Sequence, residues 1–221
     1  MLIACNSCVY KPIVIAFTTI LIHTVVSVSE VTLFIFRFFL FAVVHSILAL
    51  PYLKRQFTGR SGHLFRFYRL YYNIISVLLF GWVMAAFGNS SILYVVPGVW
   101  SLVLYFMQLV FLVILCVCVS QTGTAAFLGI PAVRADELKA PRLVTNGCYR
   151  IVRHPLYLFS MLFLLSNPVI SSRWLLLTLA SAVYFFIGAR LEERRLHVAF
   201  GSEYEAYKRA VPFMFPRIFT S

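Results

Sequence analysis

The sequence predicts an all-α fold, a polytopic integral membrane helical bundle of about six transmembrane spans that includes a C-terminal helical hairpin and carries a cytoplasmic amphipathic C-terminal helix. Three observations predict it. Hydrophobic residues make up 62% of the chain and charged residues 12%, with a mean hydropathy of +0.91, too little polar surface to cover a soluble globule. Apolar runs of bilayer-crossing length recur along the chain. Finally, 19 Lys and Arg stand against 7 Asp and Glu, an excess that marks cytoplasmic loops in a membrane protein.

The first elements are two apolar runs, 12 to 28 and 31 to 51, parted by Ser29 and Glu30. At ~1.5 Å per residue each nearly spans the hydrocarbon, and the pair is expected as a tight helical hairpin. The run after Lys11 has no small-x-small site before Glu30 and reads as a retained span rather than a signal peptide. After the basic segment YLKRQFTGRSGHLFR, a third span covers 67 to 87. A Gly-Asn-Ser-Ser turn leads to a fourth, 97 to 119, with Pro97 in its first turn.

Residues 120 to 154 form the longest polar stretch and are expected outside the membrane. Residues 155 to 188 then hold two apolar arms split by Ser166-Asn167-Pro168 and Ser171-Ser172, a hairpin pattern. From residue 189 the chain turns amphipathic, with Glu192, Leu196, Phe200 and Tyr204 at i, i+4 steps and Tyr207 beside them. On that stripe Glu192 is expected buried, and Glu193, sharing a face with His197, exposed.

A cytoplasmic N-terminus places the loops 52 to 66 and 120 to 154 and the C-terminal tail on one side. Of the basic residues only Arg37 and Arg173 then fall elsewhere, which orients both termini to the cytoplasm. Arg37, inside a span, is expected to snorkel outward or pair with Glu30. The five cysteines are odd in number and scattered; they do not form a disulfide framework and point to a reducing compartment. Cys5 and Cys8 lack the further ligands of a zinc site. No arginine stripe with interleaved exposed aromatics lies outside the apolar runs, which sets aside a nucleic-acid partner.

The densest cluster of unusual residues is LVTNGCYRIVRHPLY, 143 to 157, directly before the fifth span. Pro155 suits the first helical position and His154 the cap, so the opening N–H groups favour an anion such as a carboxylate. Arg150 and Arg153 either pair with that anion or serve the positive-inside bias. His154, His197 and Glu193 do not assemble a metal site, and Glu193 with His197 reads as an i, i+4 surface pair. No metal is expected.

R-H-P-L-Y (Arg153 to Tyr157), an apolar hairpin, then E-E-R-R-L-H-V-A-F-G-S-E-Y-E-A-Y-K (Glu192 to Lys208) and Val211-Pro212 together resemble the isoprenylcysteine carboxyl methyltransferase superfamily of membrane methyltransferases. The resemblance covers roughly 120 to 216 and rests on two motifs in order and at the right distance. It implies an S-adenosylmethionine-dependent methyltransferase with one membrane domain over 1–221, whose helices 1–119 precede a cofactor-binding region, 120–221. It further implies that Gly147, Tyr149, His154, Pro155 and Tyr157, with Glu192 and Glu193 from the second motif, bind the cofactor on the cytoplasmic side. On that reading His154 and the helix N-terminus hold the methionine carboxylate, Glu192 accepts from the amino group or ribose, and Arg153 orients the substrate. Arg153 and Glu192 are the catalytic candidates. Phe200, Tyr204 and Tyr207 belong to the second motif, the two tyrosines serving chiefly to dock the tail.

The N-terminal half is similar to NnrU-type and methanethiol S-methyltransferase-like membrane proteins, through HSILALPYLKR (His45 to Arg55), YRLYYNIISVLLF (Tyr68 to Phe80) and FLGI (Phe127 to Ile130). The resemblances imply a bacterial-type inner-membrane protein whose partners are membrane lipid and a lipophilic or small-molecule acceptor bearing a thiol, carboxyl or amine. They leave the oligomeric state open. The competing reading is an NnrU-like haem-binding protein or isomerase with His23 or His45 as axial ligand.

Overall fold

The computed structural model describes residues 7–50 (side chains from 28 onward), 52–53, 67–86, 90–124, 128 and 142–216. Seven helices and two short strands lie among them: α1 (Ser7–Leu48), α2 (Tyr68–Met84), β1 (Ile92–Val95), α3 (Val99–Gln121), α4 (Cys148–Ile151), α5 (Pro155–Leu165), β2 (Val169–Ser171), α6 (Ser172–Phe200) and α7 (Ser202–Ala210).

The expected N-terminal hairpin is absent. Ser29 and Glu30 lie inside one 42-residue helix, because neither is a helix breaker and no glycine or proline accompanies them. The Thr32 hydroxyl donates back to the Val28 carbonyl at 2.8 Å, satisfying its own polar group within the helix. Among the described residues three helices are long and apolar enough to cross a bilayer, Val28–Leu48 within α1, Val99–Gln121 and Ser172–Phe200. With 17 and 11 residues respectively, α2 and α5 are shorter. The outward sides of these helices are apolar: Trp100, Leu102, Phe106 and Leu109 of α3 are exposed, as lipid-facing side chains are. This is a helical membrane protein.

The second hairpin is present but shaped differently from expectation. After α5 the chain turns at Ser166–Pro168, and β2 pairs antiparallel with β1 in the register Ile92↔Ser171, Tyr94↔Ile170, Val95↔Val169. The Ser171 hydroxyl accepts from Trp174 N to cap α6. That helix then runs unbroken through residue 200, so the amphipathic tail begins as the end of a membrane helix, not as a separate element. It breaks at Gly201, whose φ of 51° suits a residue without a Cβ.

Packing is built from aromatic rings. Phe34, Phe38 and Phe41 of α1, Val83 and Ala86 at the end of α2 and Leu177 of α6 form one buried cluster. Arg37 neither snorkels nor meets Glu30. Its Nη1 donates to Trp82 O at 2.9 Å, and its guanidinium lies 4.8 Å from the Trp82 ring centre, while Arg173 Nη1 donates to Met84 O. Both cations thus sit at the C-terminal end of α2, where the helix dipole and free carbonyls favour positive charge.

The opposite end of the bundle joins α3 to the 143–157 segment. Cys118 and Cys148 form a disulfide with Cα atoms 5.7 Å apart, a correction to the reading of unpaired cysteines. The end of α3 brings together two residues 30 positions apart, a proximity that spacing alone did not reveal. Cys116 is free and exposed; the side chains of Cys5 and Cys8 lie outside the described residues.

Candidate functional site

Gly147 adopts φ 58° and packs against Gln121, where a Cβ would collide with the amide. Gln121 Oε1 in turn accepts from Cys148 N at 2.9 Å, opening the single turn α4. Val152 then extends the chain, and Pro155 starts α5 with His154 as its N-terminal flank.

The guanidinium of Arg153 is the hub. Its Nε donates to Glu193 Oε1 at 2.7 Å and its Nη2 lies 2.6 Å from the same oxygen. Its Nη1 donates to Lys208 O at 2.9 Å and Val211 O at 2.7 Å, and its backbone N–H to Pro212 O. Both side chains of the pair are about nine-tenths buried. Removing either would strand the other, a loss on the order of 3–5 kcal/mol. Arg153 therefore ties α5, α6 and the tail into one body, and its donors are taken up by the protein.

The two adjacent carboxylates are reversed from expectation. Glu193 is buried, whereas the Glu192 side chain is 48% exposed. A strict i+4 series drifts around a helix by about 40° per step, so Glu192, Leu196 and Phe200 do not hold one face. Ala189, Glu193, Leu196 and Phe200, alternating steps of four and three, do, and these are the positions turned inward. Glu193 consequently does not pair with His197, which meets Glu205 at 2.9 Å.

His154 lies between the two carboxylates. Its Nδ1 is 3.6 Å from Glu192 Oε2 and its Nε2 3.5 Å from Glu193 Oε1. The ring is buried, stacked on Tyr157 at 5.7 Å and met edge-on by Phe213 at 5.0 Å. Its Nε2 has no hydrogen-bond partner, and the buried Tyr204 hydroxyl faces Glu193. An unpaired buried polar atom is costly; this nitrogen lies on the side of the ring that faces the buried Glu193, with the half-exposed Glu192 on the other side.

Tyr157's hydroxyl faces Glu192. Tyr149 also lies in that field: burial, then the Glu192 charge, push its phenol up to about 12. The Tyr207 hydroxyl donates to Tyr149 O at 2.6 Å, and Tyr204, Tyr207 and Val211 form a buried cluster with Leu143, Leu196 and Phe200 around it. These two tyrosines dock the tail helix.

The structure thus gathers Tyr149, Arg153, His154, Tyr157, Glu192 and Glu193 at one place. Pro155 is buried in the α5 start, and Gly147 sits against Gln121. Phe213 was not foreseen; it contacts His154, Arg153 and Arg190, and its place just after Val211-Pro212 was the only hint. No group of three metal-ligand side chains occurs among the described residues.

A second feature adjoins the first. A cavity of about 390 Å³, lined by Phe41, His45, Leu112, Ser160, Tyr184, Phe185 and further apolar side chains, opens between α1, α3, α5 and α6. Phe185 of its wall stacks on Tyr157 at 5.3 Å, so one aromatic pair separates the cavity from His154. In the same wall His45 uses both ring nitrogens, Nδ1 to Ser76 Oγ at 2.9 Å and Nε2 to Tyr72 OH at 2.6 Å. Neither is open to a haem iron, which counts against the axial-ligand reading; the side chain of His23 lies outside the described residues.

Comparison with known proteins identifies relatives by sequence. The family model described as NnrU protein matches residues 33–214, taking in both the cavity and the His154 cluster. The chain is 38% identical over 88 residues to methanethiol S-methyltransferase 2 of Bradyrhizobium diazoefficiens, covering 40% of this chain and 34% of that protein. To the methanethiol S-methyltransferase of Pseudomonas deceptionensis it is 34% identical, covering 32% and 27% respectively. To that of Mycobacterium tuberculosis it is 32% identical, covering 31% and 28%. The matches to these relatives thus span about a third or less of their length. No solved structure matches the chain.

Proposed function

The chain belongs to the NnrU family, and from that premise we propose that it is a membrane-embedded S-adenosylmethionine-dependent methyltransferase acting on a small or lipophilic thiol. The observation that carries the reading is the meeting of His154 with Glu192 and Glu193, from two segments separated by the α5–α6 hairpin, with one buried ring nitrogen lacking a hydrogen bond. The thiol acceptor is drawn from the names of the relatives.

The residues fit such a donor. S-adenosylmethionine supplies an electrophilic methyl group on a sulfonium together with a carboxylate, an ammonium and a ribose. His154 Nε2 and the N–H groups opening α5 suit the carboxylate. Glu192, half-exposed and facing His154 and the Tyr157 hydroxyl, is the acceptor for the ammonium or ribose hydroxyls. Tyr157 and Tyr149 wall the same space. Glu193 serves indirectly: neutralised by Arg153, it holds the His154 ring, so Arg153 is a positioning residue here rather than a substrate ligand.

Methyl transfer to a soft nucleophile is mainly a matter of alignment and exclusion of water. The cavity provides both. Its volume lies in the range of sites for drug-sized ligands, it is walled largely by carbon, and it meets the His154 cluster through Tyr157 and Phe185. Residues 120–221 would form the cofactor-binding region and 1–119 the acceptor side of one domain.

Calorimetry of the purified chain with S-adenosylmethionine, followed by labelled methyl transfer to alkanethiols, prenylcysteines and phospholipid amines, tests the reading. Saturable binding and transfer to thiols is the expected result; no binding rejects it. The bundle would sit in an inner membrane with the site end toward the cytoplasm, since Arg150, Arg153, Arg190, Arg194 and Arg195 cluster there. The Cys118–Cys148 disulfide lies at that same end, and disulfides are rare in the reducing cytoplasm, so the orientation needs its own test: an Arg194→Cys variant in intact cells should stay unlabelled by a membrane-impermeant maleimide, and labelling would reverse it.

A further inference from the structure

The α5–α6 hairpin lines the cavity in levels, one helical turn or about 5 Å apart. On α5, Ser160 lies one turn beyond Tyr157 and one turn before Leu164; on α6, Ser181 lies one turn from Leu177 and one from the Tyr184–Phe185 pair. At one end Tyr157 stacks on Phe185. At the other, Leu164 and Leu177 pack in the cluster of Phe38. Ser160 and Ser181 come between, and both line the cavity.

These two hydroxyls differ from their neighbours. Ser166 at the end of α5 and Thr178 of α6 donate back to the carbonyls four residues earlier, each at 2.8 Å, the ordinary way for a hydroxyl to be satisfied in a helix. Ser160 and Ser181 make no hydrogen bond among the described residues, and Ser181 is only 6% exposed. A hydroxyl taken from water without a partner is costly, and this pair faces a space otherwise walled mainly by carbon. The mouth of that space faces lipid. Phe80 of α2 and Leu112 of α3 line the cavity and are also exposed, and Leu112 lies near the middle of a helix long enough to cross the bilayer. A molecule entering between them comes from the hydrocarbon rather than from water.

We propose that the cavity takes a long-chain thiol from the bilayer, its sulfur accepting from the Ser160 and Ser181 hydroxyls and its hydrocarbon body lying among Phe38, Phe163 and Leu177. The sulfur end is then one turn from Tyr157 and Phe185, the pair that separates the cavity from His154. Size sets the class of occupant. At the ~30 Å³ that a water occupies in the liquid, 390 Å³ holds about a dozen non-hydrogen atoms. Methanethiol, with one carbon and one sulfur, would leave most of the wall untouched. That the occupant is the methyl acceptor rests on the transferase reading; the chamber and its two hydroxyls do not.

Full-length protein in lipid nanodiscs, without S-adenosylmethionine, is photolabelled with a 1-decanethiol that carries a diazirine at the far end of its chain, and the labelled residues are mapped by mass spectrometry. Label should saturate on the wall around Phe38, Phe163 and Leu177, and 1-decanethiol should displace it at least 10-fold better than methanethiol does. In Ser160→Ala/Ser181→Ala the half-saturating probe concentration should rise about 10-fold, whereas a diazirine probe of the same length without sulfur should saturate alike in both proteins. Label that never saturates and spreads over the outward residues Leu102 and Phe106 is contact with bulk lipid only and overturns the proposal. Equal saturation by the thiol probe in the double variant, or equal displacement by methanethiol, overturns it too. Saturable, serine-dependent labelling of protein that binds no S-adenosylmethionine would leave the chamber standing and reject the transferase reading instead.

Discussion

Two histidines are drawn out of water among aromatic rings, His154 at the head of α5 and His45 near the end of α1, and their ring nitrogens meet opposite fates. His45 has a hydroxyl on each nitrogen. His154 has a carboxylate 3.5–3.6 Å from each nitrogen, and its Nε2 is without a hydrogen bond. The first ring belongs to a closed network that fixes its tautomer. The second is held in place by packing and by a neighbouring ion pair, with hydrogen-bonding capacity to spare. Spare capacity in a buried position is a cost the fold carries, and a ligand that completes the bonds recovers it. The segment at the head of α5 thus leaves a buried ring nitrogen open beside Glu193, whereas α1 closes its histidine between two hydroxyls at the wall of an apolar cavity.

The contrast is broken most severely at Arg153. Arg153→Ala leaves Glu193 charged and buried and frees the tail, and should cost about 3–5 kcal/mol, read as a large drop in thermal unfolding temperature in nanodiscs; a drop as small as that of a surface arginine would show that the hub is not one. Next comes Glu192→Gln, expected to weaken S-adenosylmethionine about 10- to 100-fold by removing charged hydrogen bonds while barely moving stability, because this side chain is half-exposed. Affinity unchanged in both Glu192→Gln and His154→Ala would remove the cofactor from this place. Ser76→Ala sharpens the other side of the comparison: it should cost about 1 kcal/mol of stability and leave S-adenosylmethionine affinity intact, and a loss of affinity there would mean that the two histidines belong to one site.

The smallest effect is a pH dependence. Tyr149's phenol is raised to about 12 by burial and then by Glu192, above the ~10 of an unfolded tyrosine. The folded chain therefore keeps a proton that the unfolded chain releases. Its contribution to stability is whole below pH ~10 and is lost as pH rises through about 12. Tyr149→Phe should flatten that part of a plot of unfolding temperature against pH, and Glu192→Gln should flatten it in part; an unaltered slope in Tyr149→Phe would place the phenol outside Glu192's field.

Reading the residues by type worked where the chemistry is local. Pro155 at the start of α5 and the Ser166–Pro168 turn both follow from side chains whose preferences do not depend on distant neighbours. The reading failed where geometry accumulates. Ser29-Glu30 looked like a turn between two apolar runs, yet a polar pair is no helix breaker, and α1 continues through it. Glu192 and Glu193 were exchanged because a small angular drift, compounded over three turns, moves a stripe to the neighbouring residue.

Composition and motif order by themselves determined that this chain is helical, belongs in a bilayer and concentrates its polar chemistry in the segments around His154 and Glu192, since these depend on transfer free energies and on residue types. Which carboxylate is buried, which cysteines meet and that His45 faces a cavity beside Tyr157 were decided only when the helices packed. Those facts are distances between residues 30 to 140 positions apart in the chain, and a sequence carries no record of distance until the chain has closed on itself.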